Sequence, residues 1–141
     1  MEAATQYDGA GRVELYTTEL PMKVFVARSG YRAHCEEGWI PKEGPLIVNL
    51  KELPSGGAVI FPNTTGYIPG LKGRLNPIRD TLDRTYLYAT NVAIDEGRQQ
   101  PVSFLYGEEL RLTDNVGHEC MIRIIDITGQ SALLEYRHLS K

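Results

Sequence analysis

Two short segments hold most of the residues able to do chemistry, His34-Cys35 and His118-Glu119-Cys120. His118 and Cys120 are two apart, so on a strand both project from one face. With Cys35 or His34 brought alongside, they would offer the nitrogen and sulfur ligands that suit zinc. Against this, His34 and Cys35 are adjacent and would point to opposite faces, and no C-x-x-C pair is present. The expectation is no metal and no cofactor, with His118, Cys120 and Cys35 the residues from which a metal site would be built. His118-Glu119 opens like H-E-x-x-H, but Ile122 stands where the second His is needed and the segment reads as strand. No Ser sits in a G-x-S-x-G elbow. A dyad of Cys35 with His118 or His138 rests on residue type alone. The paired carboxylates Glu36-Glu37, Asp95-Glu96 and Glu108-Glu109 read as solvated loop charges. No catalytic residue is expected, and the chain reads as a protein that is not an enzyme.

Residues 66–86 carry the candidate binding surface. Lys72, Arg74, Arg79 and Arg84 are opposed only by Asp80 and Asp83, so the segment is locally basic, and Tyr67, Tyr86 and Tyr88 flank it. Arg and Tyr together favour recognition surfaces. The expected binding residues are Tyr67, Lys72, Arg74, Arg79, Arg84 and Tyr86. The competing reading is that pairs such as Arg79 with Asp83 merely pin a long loop. The run Gly66 to Arg74 is glycine-rich but lacks the Gly-Lys-Ser/Thr ending of a phosphate loop. Asn63-Thr64-Thr65 matches an N-glycosylation sequon, which has meaning only in a secreted eukaryotic protein.

The elements that must position these residues are strands. Gly and Pro recur at short intervals, and between them lie short runs rich in Val, Ile, Tyr, Thr and Phe. No window shows uninterrupted helical spacing of apolar residues. Strands are expected over Arg12–Leu15, Met22–Ala27, Leu46–Leu50, Ala58–Phe61, Tyr86–Ile94, Val102–Tyr106 and Leu110–Leu112. A final hairpin joins Cys120–Ile127 to Ala132–Tyr136 through Thr128-Gly129-Gln130. Ile122, Ile124, Ile125 and Ile127 put apolar side chains on both faces of one strand, which places that strand centrally. The 141 residues suffice for one domain, or two small ones sharing a core. A compositional joint at Leu53-Pro54-Ser55-Gly56-Gly57 divides residues 1–53 from a second β-rich part, 54–141, with a long loop at 62–84. Cys35 and Cys120 are too few for a disulfide framework and read as buried thiols.

Tyr7-Asp8-Gly9-Ala10-Gly11-Arg12-Val13 resembles the T-D-x-D-G-x-F turn of carboxypeptidase-regulatory-like domains, which share a transthyretin-like (prealbumin-like) β-sandwich. Lys23 to Arg32 is similar to that family's V-x-V-x-A-x-G-Y strand and turn, and Gly44 to Leu53 to its closing strand. The resemblance covers about residues 5–53 and lacks the family's opening strand, which would precede residue 5. It implies an antiparallel β-sandwich and a non-catalytic accessory role, and it transfers no site residues.

The chain has 15 basic and 18 acidic residues, a net charge of −3, which argues against a nucleic-acid partner. No apolar run is long enough to span a membrane. No signal peptide is visible, so the protein is cytoplasmic if Met1 is the native start, or exported if the chain is a trimmed segment. The expected function is a non-catalytic β-sandwich module contacting a protein partner or a neighbouring domain, with a homodimer through edge-strand pairing as one outcome. The alternatives are a carbohydrate-binding module using Trp39 and tyrosines as a stacking platform, and a small Cys/His metal-binding or hydrolytic domain.

Overall fold

The computed structural model describes residues 21–139, and the Tyr7–Val13 motif lies outside them. Eleven strands follow one another in the described residues: β1 (Met22–Val26), β2 (Ser29–Tyr31), β3 (His34–Trp39), β4 (Glu52–Pro62), β5 (Arg74–Arg79), β6 (Thr85–Thr90), β7 (Val92–Ile94), β8 (Val102–Ser103), β9 (Glu109–Asp114), β10 (Glu119–Thr128) and β11 (Ser131–His138). One turn of 3₁₀ helix, Pro41–Glu43, is the sole helical segment among them. All strand pairings are antiparallel, so the all-β expectation holds.

Three sheets form. The largest has the order β2-β4-β11-β10-β9-β7, a second has β5-β6-β8, and β1 pairs with β3 alone. The core lies between the six-stranded and three-stranded sheets. Phe61, Ile122, Ile124, Leu134, Leu110 and Leu112 come from one side and Leu75, Leu87 and Val102 from the other, with Ile68, Leu71 and Phe104 closing the gaps. Alternation along β11 sends Ala132, Leu134 and Tyr136 into this core and Leu133 and Glu135 to the opposite face. That outer face is also engaged. Glu135 accepts the Ala33 N–H at 2.9 Å, and Asp126 accepts Lys23 of the β1–β3 hairpin at 2.7 Å.

β10 and β11 occupy the middle of the large sheet, as their apolar content requires. The four isoleucines have a different explanation from double coverage. Ile124 pairs with Leu134 and Asp126 with Leu133, which leaves Ile125 as an unpaired extra residue in a bulge. The bulge shifts the alternation by one, so Ile122, Ile124 and Ile127 all reach the core while Ile125 stays half-buried.

Five expectations need correction. Residues 62–84 are not one long loop, because β5 begins at Arg74 and a tight hairpin joins it to β6. Pro77 is compatible with this strand because β5 lies at a sheet edge, where a missing N–H costs no ladder bond. Leu46–Leu50 is not in a strand. Tyr86–Ile94 is two strands in different sheets, turned at Asn91 with φ of 65°. Val102–Tyr106 contracts to two residues of strand. The Gly56-Gly57 joint falls inside β4, which runs through it without a break. A Cβ at Gly56 would lie 2.1 Å from the Tyr136 carbonyl oxygen, so glycine here serves the close approach of β11.

Candidate functional site

At one end of the sandwich two turns and a strand end converge. Pro62 pairs with Ser131, which sets the turn after β4 against the Gly129-Gln130 turn between β10 and β11. Asn63 and Thr64 take left-handed φ values of 64° and 55° to make the first of these turns. The end of β5 completes the rim. Together Asn63, Thr64, Ile78, Arg79, Ile127, Gly129 and Gln130 line an open cleft of about 340 Å³. That lies at the lower end of ligand-site volumes, about 300–1,000 Å³.

Arg79 dominates the charge of this cleft. Alternation places it on the face of β5 that carries the buried Leu75 and Pro77, so at the strand end its guanidinium reaches across between the sheets. Its Nη1 donates to the Ile127 carbonyl at 3.2 Å. Its Nε and Nη2 donate to Asp83 Oδ1 at 3.0 and 2.8 Å. These bonds occupy three of the five guanidinium N–H groups and leave two.

Beside the cleft lies a second polar cluster. Lys23 Nζ donates to Asp126 at 2.7 Å and to Thr128 Oγ1 at 2.9 Å, and stands 3.2 Å from Glu37. The Asp126 hydrogen bond, outweighing desolvation, holds the Lys23 ammonium above its ordinary range. Burial pushes the Asp126 carboxyl up, but the bonds from Lys23 and Thr128 more than offset this and leave it below the ordinary range. Cys35, Glu37 and Asp126 bring three possible metal ligands within 4.8 Å of one another. The Lys23 ammonium already provides the cation there.

The residues predicted for metal do not assemble. Cys35 joins Glu37 and Asp126, whereas His118 Nδ1 lies 3.1 Å from Asp114 and Cys120 is buried in the core. Burial pushes the Cys120 thiol up to about 12, and burial followed by the charge of Asp126 raises Cys35. An aromatic disulfide reagent at pH 8 is therefore expected to titrate one thiol, Cys35, in the native protein and two in denaturant. Two fast-reacting native thiols would contradict this burial.

The six predicted binding residues divide into two groups. Arg79, Arg84 and Tyr86 gather at the β5–β6 hairpin, where Arg84 bonds Asp80 at 2.8 Å and its guanidinium carbon lies 5.9 Å from the Tyr86 ring centre. Tyr67, Lys72 and Arg74 sit at the other end of β5, about 17 Å away at the usual strand rise. Only Arg79 lines the cleft. Trp39 is half-buried and donates to the Gly44 carbonyl at 3.1 Å, tied into its own loop. Sequence reasoning missed Gln130 and Asp126 and took Asn63-Thr64 for a sequon alone. The one local signal was Asn63 before Thr64, a pair suited to a left-handed turn.

No family model and no solved structure matches the chain. A 3' cyclic ADP-D-ribose synthase, AaTIR, from Aquimarina amphilecti is 29% identical over 136 residues. The match takes in 96% of this chain and spans 41% of that protein. It overturns the expectations of a non-catalytic module and of a protein that is not an enzyme, since the relative aligned through nearly the whole chain is named for a synthase. Those expectations rested on missing catalytic motifs, and motif absence in one chain carries little weight against a relative of named activity. No helix of the described residues is long and apolar enough to cross a membrane.

Proposed function

We propose that this chain is the all-β part of an enzyme that synthesises a cyclic ADP-ribose. The observation that carries the reading is the alignment with the Aquimarina synthase, which is long enough to take in nearly all the residues from β1 to β11. Making such a product needs a donor that holds ADP-ribose on a leaving group, and NAD⁺ is one. The bond from the ribose anomeric carbon to nicotinamide breaks, a hydroxyl of the same ADP-ribose forms the new bond, and its proton passes to solvent or a base.

The test uses the complete polypeptide as the cell makes it, incubated with NAD⁺. Chromatography with mass detection should find nicotinamide and a cyclic ADP-ribose in equal amounts. Unchanged NAD⁺, or linear ADP-ribose as the sole product, would overturn the reading.

A further inference from the structure

We infer that the cleft beside Arg79 is a binding site for the phosphate-bearing part of an ADP-ribosyl compound; the ligand class rests on the enzyme reading above, while the site rests on geometry. A phosphate needs a fixed cation with N–H groups to spare, and Arg79 is fixed by the Ile127 carbonyl and Asp83 with two N–H groups left. Arg79 lines the cleft, whereas neither neighbouring acidic residue, Asp83 or Asp126, does so. Asp126 is moreover neutralised by Lys23.

Beyond the cation, the lining carries the groups a nucleotide needs. Among the described residues nothing is bonded to the side-chain amides of Asn63 and Gln130, both of which line the cleft. A side-chain amide can donate to and accept from an adenine edge or ribose hydroxyls. Ile78 and Ile127 supply apolar surface for a ring or sugar face. The cleft opens to solvent between turns, and its volume of about 340 Å³ admits part of a dinucleotide rather than the whole.

The experiment is calorimetric titration of the purified complete polypeptide with ADP-ribose, then with adenosine as the phosphate-free control. Arg79→Met should weaken ADP-ribose binding about ten-fold or more, the loss expected when a charged hydrogen-bond donor is removed. Adenosine binding should be weak and unaffected by Arg79→Met. Asp83→Asn keeps the turn, since Asn accepts the φ of 60° at that position. It also lifts a competing charge from the guanidinium, so ADP-ribose should bind more tightly. This second variant works in the opposite direction, which keeps the test decisive should Arg79→Met fold poorly.

Equal ADP-ribose affinity in the wild type and both variants would overturn the site. So would no ADP-ribose binding in a protein that turns over NAD⁺, an outcome that leaves the enzyme reading standing. Conversely, Arg79-dependent ADP-ribose binding without NAD⁺ turnover would uphold the site and remove the enzyme reading.

Discussion

Replacing Asp114 by alanine should lower the melting temperature by about 5–10 °C, because one carboxylate ties two loops to the core. Asp114 ends β9 with its side chain fully shielded from solvent. Oδ1 accepts the N–H groups of Val116 and His118 at 3.0 and 2.9 Å, closing the turn into β10. Oδ2 accepts the Lys72 N–H at 2.8 Å and faces His118 Nδ1 at 3.1 Å. An ionised carboxylate has no proton to give, so Nδ1 is the donor. Alanine leaves every one of these donors without its acceptor. Amide hydrogen exchange should quicken at Lys72, Val116 and His118 together; quickening at Val116 and His118 with Lys72 unchanged would show that the long-range tie carries no weight.

The same carboxylate fixes a pH dependence. Burial raises its pKa, but the N–H bonds from Lys72, His118 and Val116 outweigh burial and hold it well below the ordinary carboxylate range. A group depressed in the folded state stabilises fully above its unfolded value, about 3.9. Its contribution is lost as pH falls from there through the folded value. The difference in stability between wild type and Asp114→Ala should therefore stay flat from pH 8 to about pH 5 and shrink below about pH 4. A gap that already narrows between pH 8 and pH 5 would contradict the assignment to Asp114.

The parts of the fold legible in the sequence were those fixed by local alternation. Cys120 to Tyr136 alternates around Gly129, and the hairpin stands where those residues place it. The β5–β6 hairpin was hidden because Pro77 disqualifies a central strand, and nothing local says that β5 lies at an edge. The run Tyr86–Ile94 alternates as smoothly as one strand. Its transfer between sheets depends on Asn91 adopting positive φ, which Asn permits but does not announce. The candidate site was less legible still. Asn63, Arg79 and Gln130 are brought together by the pairing of β4 with β11 and by Arg79 reaching Ile127, contacts between distant parts of the chain. Of that set only Arg79 stood out, through local charge. The proposed function was not written in motifs at all, and it rests on the likeness to the synthase.

The bulge in β10 gives the second large effect and a direct test of the register. Ile124 and Ile125 are chemically identical neighbours in the most central hairpin of the molecule. By the pattern alone they are equivalent, each a candidate for one covered face. In the structure Ile124 is completely buried between the two main sheets, while Ile125 is the extra, half-buried residue of the bulge. Truncating Ile124 to alanine removes three carbons from a packed interior and should cost about 2–5 kcal/mol, the range for such core deletions. Truncating Ile125 leaves no enclosed cavity and should cost about 1 kcal/mol or less. Chemical denaturation of both variants measures the contrast. Equal losses would mean that Ile125 is as well covered as Ile124, that the alternation does not slip at this point, and that Asp126 is not directed toward Lys23. The polar cluster next to the Arg79 cleft would then lose its anchor, because Asp126 reaches the β1–β3 hairpin only through the one-residue shift that the bulge introduces.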